Sequence, residues 1–346
     1  MKDIKNYTLN ELGNILERER YPAFCAKQIF SWVYKRNIDD FSKMSDLSKA
    51  ARQYLKSNFY ISSLKTLERK VSVDGTEKFL FALDDKNTIE TVIIPKGNRN
   101  TLCVSTQVGC RYGCKFCVSG LFGFKRNLKV SEIINQFIKI NSIIIPKAIT
   151  NVVFMGIGEP LDNFDNVIKS ISIMTSPFGI HFGRRRITIS TCGITPKVKE
   201  LLNMDFGVKL SISLHSADNR KRSLLMPVNK LYPLAGLIDQ AKRYAKKYRF
   251  PVTFEYILIK DINSKREDAL NLSRMLRGLR YKINIIPYNP APAFKWQVPS
   301  FYDINSFTKI LKRKGVFFTL RRPRGQDIEA ACGQLRIAMM KNEKRV

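Results

Sequence analysis

The sequence predicts an α/β fold whose parallel sheet curves into an open or partial barrel, and three observations in its 346 residues point there. From Thr101 onward, strand-length apolar runs alternate with segments of helical period, the mark of repeated βα units with parallel strands and right-handed crossovers. Two of these strands are apolar on one face and polar on the other: Val208, Leu210, Ile212 and Leu214 oppose Lys209, Ser211, Ser213 and His215, and Ile187 and Ile189 oppose Thr188 and Ser190. A parallel strand covered on both sides would be apolar on both, so the polar set lines a cavity for a polar ligand. The turns Gly156-Ile157-Gly158-Glu159-Pro160 and Pro287-Tyr288-Asn289-Pro290 fall at carboxyl ends of strands, where ligands of parallel α/β folds gather.

In chain order, residues 1–65 read as a small helical accessory domain. Leu9, Leu12, Ile15 and Leu16 recur at helical spacing, as do Ile29, Trp32 and Val33, with Asp46 or Ser48 capping later turns. Its lysines and arginines suit an RNA-contacting surface and an ordinary solvated face equally well. Residues 66–100 change to a period of two. Lys78, Leu80, Ala82 and Asp84 alternate with Phe79, Phe81 and Leu83, Asp85-Lys86-Asn87 turns, and residues 89–95 extend again, giving a β-hairpin extension that carries Glu90. The barrel occupies 101–320. Strands are expected near 102–106, 151–156, 186–191, 208–214, 252–259, 282–287 and 316–321. Helices are expected near 131–141, 164–175, 196–203, 233–248, 265–277 and 302–314. Residues 321–346 form a C-terminal segment in which Cys332, between Ala331 and Gly333 and after Arg321-Arg-Pro-Arg324, suits a mobile reactive loop beside RNA.

Sixty Lys and Arg against 29 Asp and Glu give a net charge of +31, which calls for a polyanionic partner, nucleic acid first among them. A hydrophobic fraction of 44% supports a sizeable core and excludes disorder as the default. No apolar run approaches the length of a membrane span, and Met1–Leu12 has no apolar signal-peptide core, so the expected setting is the cytoplasm, without a membrane partner. Thiols stay reduced there, and clustered cysteines then read as metal-binding or catalytic.

Cys110-Arg-Tyr-Gly-Cys114-Lys-Phe-Cys117 is such a cluster. Three thiolates at this spacing suit zinc or an iron–sulfur cluster. Zinc needs a fourth ligand, with Cys103 the nearest candidate, whereas a four-iron cluster on three cysteines keeps one iron open for a substrate or cofactor. Glu159 in the glycine turn can accept hydrogen bonds from an ammonium group. Cys25 and Cys192 read as packed thiols and His181 as a solvated or RNA-facing residue, while Phe294 and Trp296 suit base stacking or sealing of the barrel.

The cysteine motif, Gly156–Pro160, Ser213-Leu-His215, Ile286–Pro290 and Asp327–Leu335 together resemble the radical S-adenosylmethionine (SAM) ribosomal-RNA adenine methyltransferases, over essentially the whole chain. The resemblance implies a partial (β/α)6 barrel and a 4Fe-4S cluster on Cys110, Cys114 and Cys117. It implies cofactor contacts from Gly158, Glu159, Ser190, Ser213, Leu214, His215 and Asn289. It also implies two S-adenosyl-L-methionine molecules per turnover: one methylates Cys332 as a carrier, and the other is cleaved to a radical that activates that methyl for addition to adenine. Glu90 then matches the proton acceptor, and Cys103 the thiol that releases RNA through a transient disulfide with Cys332. The implied partners are 23S rRNA, transfer RNA and an electron donor such as flavodoxin or ferredoxin, with the enzyme a monomer. Pro160 and Pro287 side with the branch that methylates adenine C2 over the C8-methylating resistance enzymes. The non-enzyme alternative is a basic RNA-binding protein with a structural metal. A thiotransferase would carry further clustered cysteines.

Overall fold

The computed structural model describes residues 1–321, 323–331, 334 and 335, so the expectation for Cys332 lies outside the described residues. The chain begins with β1 (Lys2–Asp3), α1 (Leu9–Arg18), α2 (Phe24–Phe30), α3 (Lys49–Asn58) and β2 (Phe59–Tyr60). Helix α1 starts at a capping box, in which Thr8 Oγ1 accepts from the Glu11 N–H and the Glu11 carboxylate accepts from the Thr8 N–H. Ser48 caps α3, while Asp46 accepts a hydrogen bond from the Trp32 indole instead of capping. Leu12, Leu16, Ile29, Phe30, Val33 and Leu55 are buried together, as their helical spacing requires. The unit docks on the barrel through Lys5, whose ammonium donates to Asn135 Oδ1 at 2.7 Å and to Ser62 O at 2.8 Å.

The next strands are β3 (Lys65–Val71), β4 (Glu77–Ala82), β5 (Thr88–Lys96) and β6 (Arg99–Cys103). The expected hairpin is present as β4–β5, and β3 pairs on its outer edge. Strand β6 starts three residues earlier than its expected 102 because Gly97-Asn98 forms a tight turn that pairs Lys96 with Arg99. A second hairpin, β7 (Gln107–Gly109) and β8 (Phe124–Asn127), encloses the cysteine loop.

The barrel proper continues with α4 (Val130–Ile143), β9 (Asn151–Phe154), α5 (Phe164–Thr175), β10 (Ile187–Thr191), α6 (Thr195–Asn203) and β11 (Lys209–Ser213). It then runs through α7 (Asn219–Leu225), α8 (Leu234–Tyr248), β12 (Val252–Leu258), α9 (Arg266–Met275), β13 (Tyr281–Pro287), α10 (Phe301–Arg313) and β14 (Phe318–Leu320). Among the described residues one ten-stranded sheet has the order β14-β13-β12-β11-β10-β9-β6-β5-β4-β3. Strands β6 and β9 to β14 are parallel, and β6 is the joint at which the antiparallel strands join. The fold is the open α/β barrel expected from the βα alternation.

The two-faced strands behave as their pattern requires. Leu210 and Ile212 are fully buried on the outer side, while on the inner side Ser211 Oγ donates to Glu255 Oε1 at 3.0 Å and Asn284 Nδ2 donates to the same oxygen at 2.8 Å. Burial raises the pKa of Glu255 within this polar lumen. No helix of the described residues is long and apolar enough to cross a membrane.

Candidate active site

The cysteine loop is held from four directions. The Cys110 N–H donates to Gly123 O at 3.0 Å, and the Lys115 N–H donates to Leu225 O at the end of α7 at 2.9 Å. The Trp296 indole N–H donates to Lys115 O at 2.6 Å. Asp162 takes Arg111 at 2.9 Å and the Tyr112 hydroxyl at 3.2 Å. Trp296 therefore fastens the loop, and Phe294 packs with Val118, Ala291 and Phe122 beside it. Asp162 is a site residue that the sequence pattern did not single out; its only signal is an acid two residues past the glycine turn.

Burial drives the thiol of Cys110 up to about 12 and raises Cys114 and Cys117, and Cys110 and Cys117 add mutual repulsion at Cys114. Such a set sheds its protons only to a centre that supplies positive charge, which is the chemistry of a thiolate-ligated metal group. Among the described residues no three Cys, His, Asp or Glu side chains are placed to hold a single ion. The donor set fits a multi-iron cluster, in which each thiolate meets its own iron.

Gly109 makes the loop possible. Its φ is +80°, and a Cβ there would stand 1.8 Å from Gly123 O. Gly109→Ala is expected to cost more than the roughly 1–3 kcal/mol of left-handed strain alone. The loss should register as a lower melting temperature together with less iron and sulfide per chain after anaerobic loading. Parental iron content in a stable variant would refute the placement of this turn.

Gly156 and Gly158 serve their own chain before any ligand. A Cβ on Gly156 would lie 2.7 Å from Ser105 N, and one on Gly158 would lie 2.5 Å from Gln107 Cβ, so the turn packs directly onto residues 104–107. Glu159 is consequently fixed and buried. Its Oε2 accepts from the Cys192 N–H at 2.7 Å, its Oε1 from the Leu161 N–H at 3.1 Å, and its own N–H donates to Gln107 Oε1. Burial pushes its pKa up against these hydrogen bonds. Cys192 is a packed thiol of the core, as expected, and its backbone N–H orients Glu159.

Ser190 and Ser213 face the lumen from neighbouring strands, with Leu214 fully buried behind them. His215, at φ +55°, accepts from the Ile257 N–H on Nδ1 at 3.0 Å and meets Phe116 edge-on with centroids 4.6 Å apart. Burial, aided by Arg222, brings its pKa down to about 3, so the ring is neutral at physiological pH with its proton on Nε2. Asn289 Oδ1 accepts from Gln326 Nε2 at 3.0 Å, tying this turn to the C-terminal segment.

That segment is fastened at several points. Asp327 accepts from Ser72 Oγ at 2.6 Å and from the Val73 N–H, the Gly325 N–H donates to Asp74, and Arg324 donates to Pro95 O. Lys78 Nζ donates to Glu329 O at 3.1 Å, and Gln334 Nε2 donates to Pro290 O. The expected mobile loop is in this respect a strap laid over the sheet. Its residues Ala330 and Leu335 share an apolar cluster with Cys103, Val92 and Ile157. Cys103 and Val92 are register partners, and Glu90 lies on the same face of β5 as Val92. Glu90 is buried and pairs with buried Lys78 at 3.5 Å.

Residues 104–273 match the Radical SAM superfamily and residues 2–61 the ribosomal RNA large subunit methyltransferase N-terminal domain. The chain is 44% identical to the probable dual-specificity RNA methyltransferase RlmN of Dictyoglomus turgidum, over 99% of each chain. It is 43% identical to the protein of the same name from Clostridium novyi, over 99% of this chain and 100% of that one. Among solved structures, a radical SAM methyltransferase from Sphaerobacter thermophilus is similar with a TM-score of 0.91 at 39% identity, covering 97% of this chain and 100% of that one.

Proposed function

Because the chain belongs to the radical SAM family of dual-specificity RNA methyltransferases, we propose that it methylates C2 of an adenine in 23S ribosomal RNA, and of an adenine in transfer RNA, through a methylated cysteine. It is a radical SAM RNA methyltransferase whose cofactors are a 4Fe-4S cluster and two S-adenosyl-L-methionine molecules per cycle. The observation that carries the detailed reading is the convergence of Cys103, Glu90 and the neighbours of position 332 on one face of the sheet.

When bound, the cluster and S-adenosyl-L-methionine supply a transferable methyl group and a radical that removes hydrogen from it. Cys110, Cys114 and Cys117 would hold the cluster. Glu159 would accept from the cofactor's ammonium group, with oxygens already aimed by the N–H groups of Cys192 and Leu161. Gly158, Ser190, Ser213, Leu214, His215 and Asn289 complete the cofactor contacts, with His215 offering an Nε2–H donor. Cys332 carries the methyl, and Glu90 takes the proton that leaves the adenine ring. The thiolate of Cys103 attacks the sulfur of Cys332, the sulfur–carbon bond to RNA breaks with its electron pair on the carbon, and that carbon takes up a proton to become the methyl group, leaving a disulfide. A net charge of +31 favours the RNA phosphates. The setting is the cytoplasm, the enzyme is a monomer, and a flavodoxin or ferredoxin supplies the electrons.

The test is anaerobic reconstitution with cofactor and reductant, followed by mass spectrometry of nucleosides from 23S rRNA and transfer RNA. The expected product is 2-methyladenosine. Finding 8-methyladenosine alone overturns the C2 assignment, and a colourless protein containing zinc without iron or sulfide overturns the enzyme reading.

A further inference from the structure

Arg222 is the largest fully buried side chain among the described residues. Its guanidinium donates to Leu214 O at 3.1 Å, Cys192 O at 2.7 Å, Ser213 O at 3.1 Å and Asn229 Oδ1 at 2.7 Å. Every one of these acceptors is neutral. A buried guanidinium satisfied by carbonyls still lacks a counter-charge, and an uncompensated buried charge is costly. Cys114 lies within its electrostatic reach and becomes an anion only as a thiolate ligand. Its helix, α7, is also tied to the cysteine loop, since the Lys115 N–H donates to Leu225 O. Space is made for it as well. A Cβ on Gly193 would lie 3.2 Å from Arg222 Nη2 and 2.7 Å from Leu237 Cδ2.

We propose that Arg222 is the internal counter-charge of the cluster held by Cys110, Cys114 and Cys117, a positioning residue that favours the reduced state. The inference rests on the cluster reading under Proposed function. Three thiolates and the cofactor's carboxylate make the loaded site anionic, and its reduction adds one electron from an external donor, a step in which no bond to the protein is made or broken. A fixed cation in a dry site favours that added negative charge, and net charge is among the principal determinants of an iron–sulfur potential. The four carbonyl and amide contacts keep the guanidinium from following the charge or leaving for solvent. Cys192 O and Ser213 O, both among its acceptors, adjoin the strand ends that carry Ser190 and Ser213, so the same side chain keeps the cofactor contacts in register with the cluster.

The experiment compares the parent with Arg222→Met and Arg222→Lys, each loaded anaerobically and titrated with dithionite in the presence of mediators, without RNA. The readout is the midpoint potential followed by electron paramagnetic resonance. At a fixed potential the Met variant is expected to show about a tenfold lower ratio of reduced to oxidised cluster, equivalent to ~59 mV for one electron. The Lys variant, which keeps the charge, should stay close to the parent. If the Met variant takes up no cluster, the proposal requires the Lys variant to load and to titrate as the parent does. An unchanged potential in the Met variant overturns it. Equal shifts in both variants, or loss of the cluster from both, overturn it in favour of a purely structural cap. A parent that holds no iron is a different outcome, and it removes the cluster reading itself.

Discussion

Cys332→Ala is expected to abolish methyl transfer outright, and Cys103→Ala to stop the enzyme within its first turnover with RNA still attached. In the proposed mechanism the two cysteines do different work, so they fail differently. Without the sulfur of Cys332 there is nowhere to place the methyl group, so neither product nor adduct forms. Without Cys103 the carrier still reaches the adenine, but no thiol displaces it, and protein and RNA remain covalently joined. Val92 and Cys103 face each other across β5 and β6, and Ala330 and Leu335 pack on the same cluster, so no other described cysteine belongs to that cluster to take over the release. Labelled RNA on a denaturing gel separates the outcomes. A Cys103 variant that turned over repeatedly, or a Cys332 variant that formed product, would remove the assignment.

The second large effect concerns the buried pair of Glu90 and Lys78, 3.5 Å apart with both side chains almost wholly inaccessible. Glu90→Gln removes a charge from a site that water does not screen, leaving the Lys78 ammonium without its carboxylate. Breaking such a pair from one side costs about 3–5 kcal/mol, and losing a general base typically costs about 10²–10⁴ in rate. The two losses come apart in the double variant. Adding Lys78→Met to Glu90→Gln discards the stranded cation and should return much of the stability while leaving the rate low. Chemical denaturation and single-turnover methylation measure the two separately. A double variant that regained activity along with stability would show that Glu90 acts only as an ion-pair partner.

Much of this architecture could be read from residue order. The alternation in Lys209–Ser213 foretold a polar lumen, and the lumen holds Ser211, Glu255 and Asn284 in one hydrogen-bonded set. Helix α5 falls at its expected residues because Val167, Ile168, Ile171 and Met174 keep a clear helical spacing. The elements that escaped are short. Strands β7 and β8 have three and four residues, and α7 has seven, too few for a period to declare itself. Their importance comes from contacts made across the chain, such as Asp162 with Arg111 and Arg222 with Cys192 O, which no local pattern encodes. Gly156 and Gly158 were legible as glycines that a close approach requires, but the backbone they admit belongs to residues 104–107, on another strand segment.

The strap that closes the sheet joins residues far apart in synthesis: Ser72 to Asp327 spans 255 positions, and Lys78 to Glu329 spans 251. Contacts of that separation form late, and chains fold from their N-terminal parts as they are made. The contacts that complete the reactive face are therefore among the last to form. Helices, meander and cysteine loop can each assemble from nearer contacts, while the reactive face waits for Ser72 and Lys78 to meet Asp327 and Glu329.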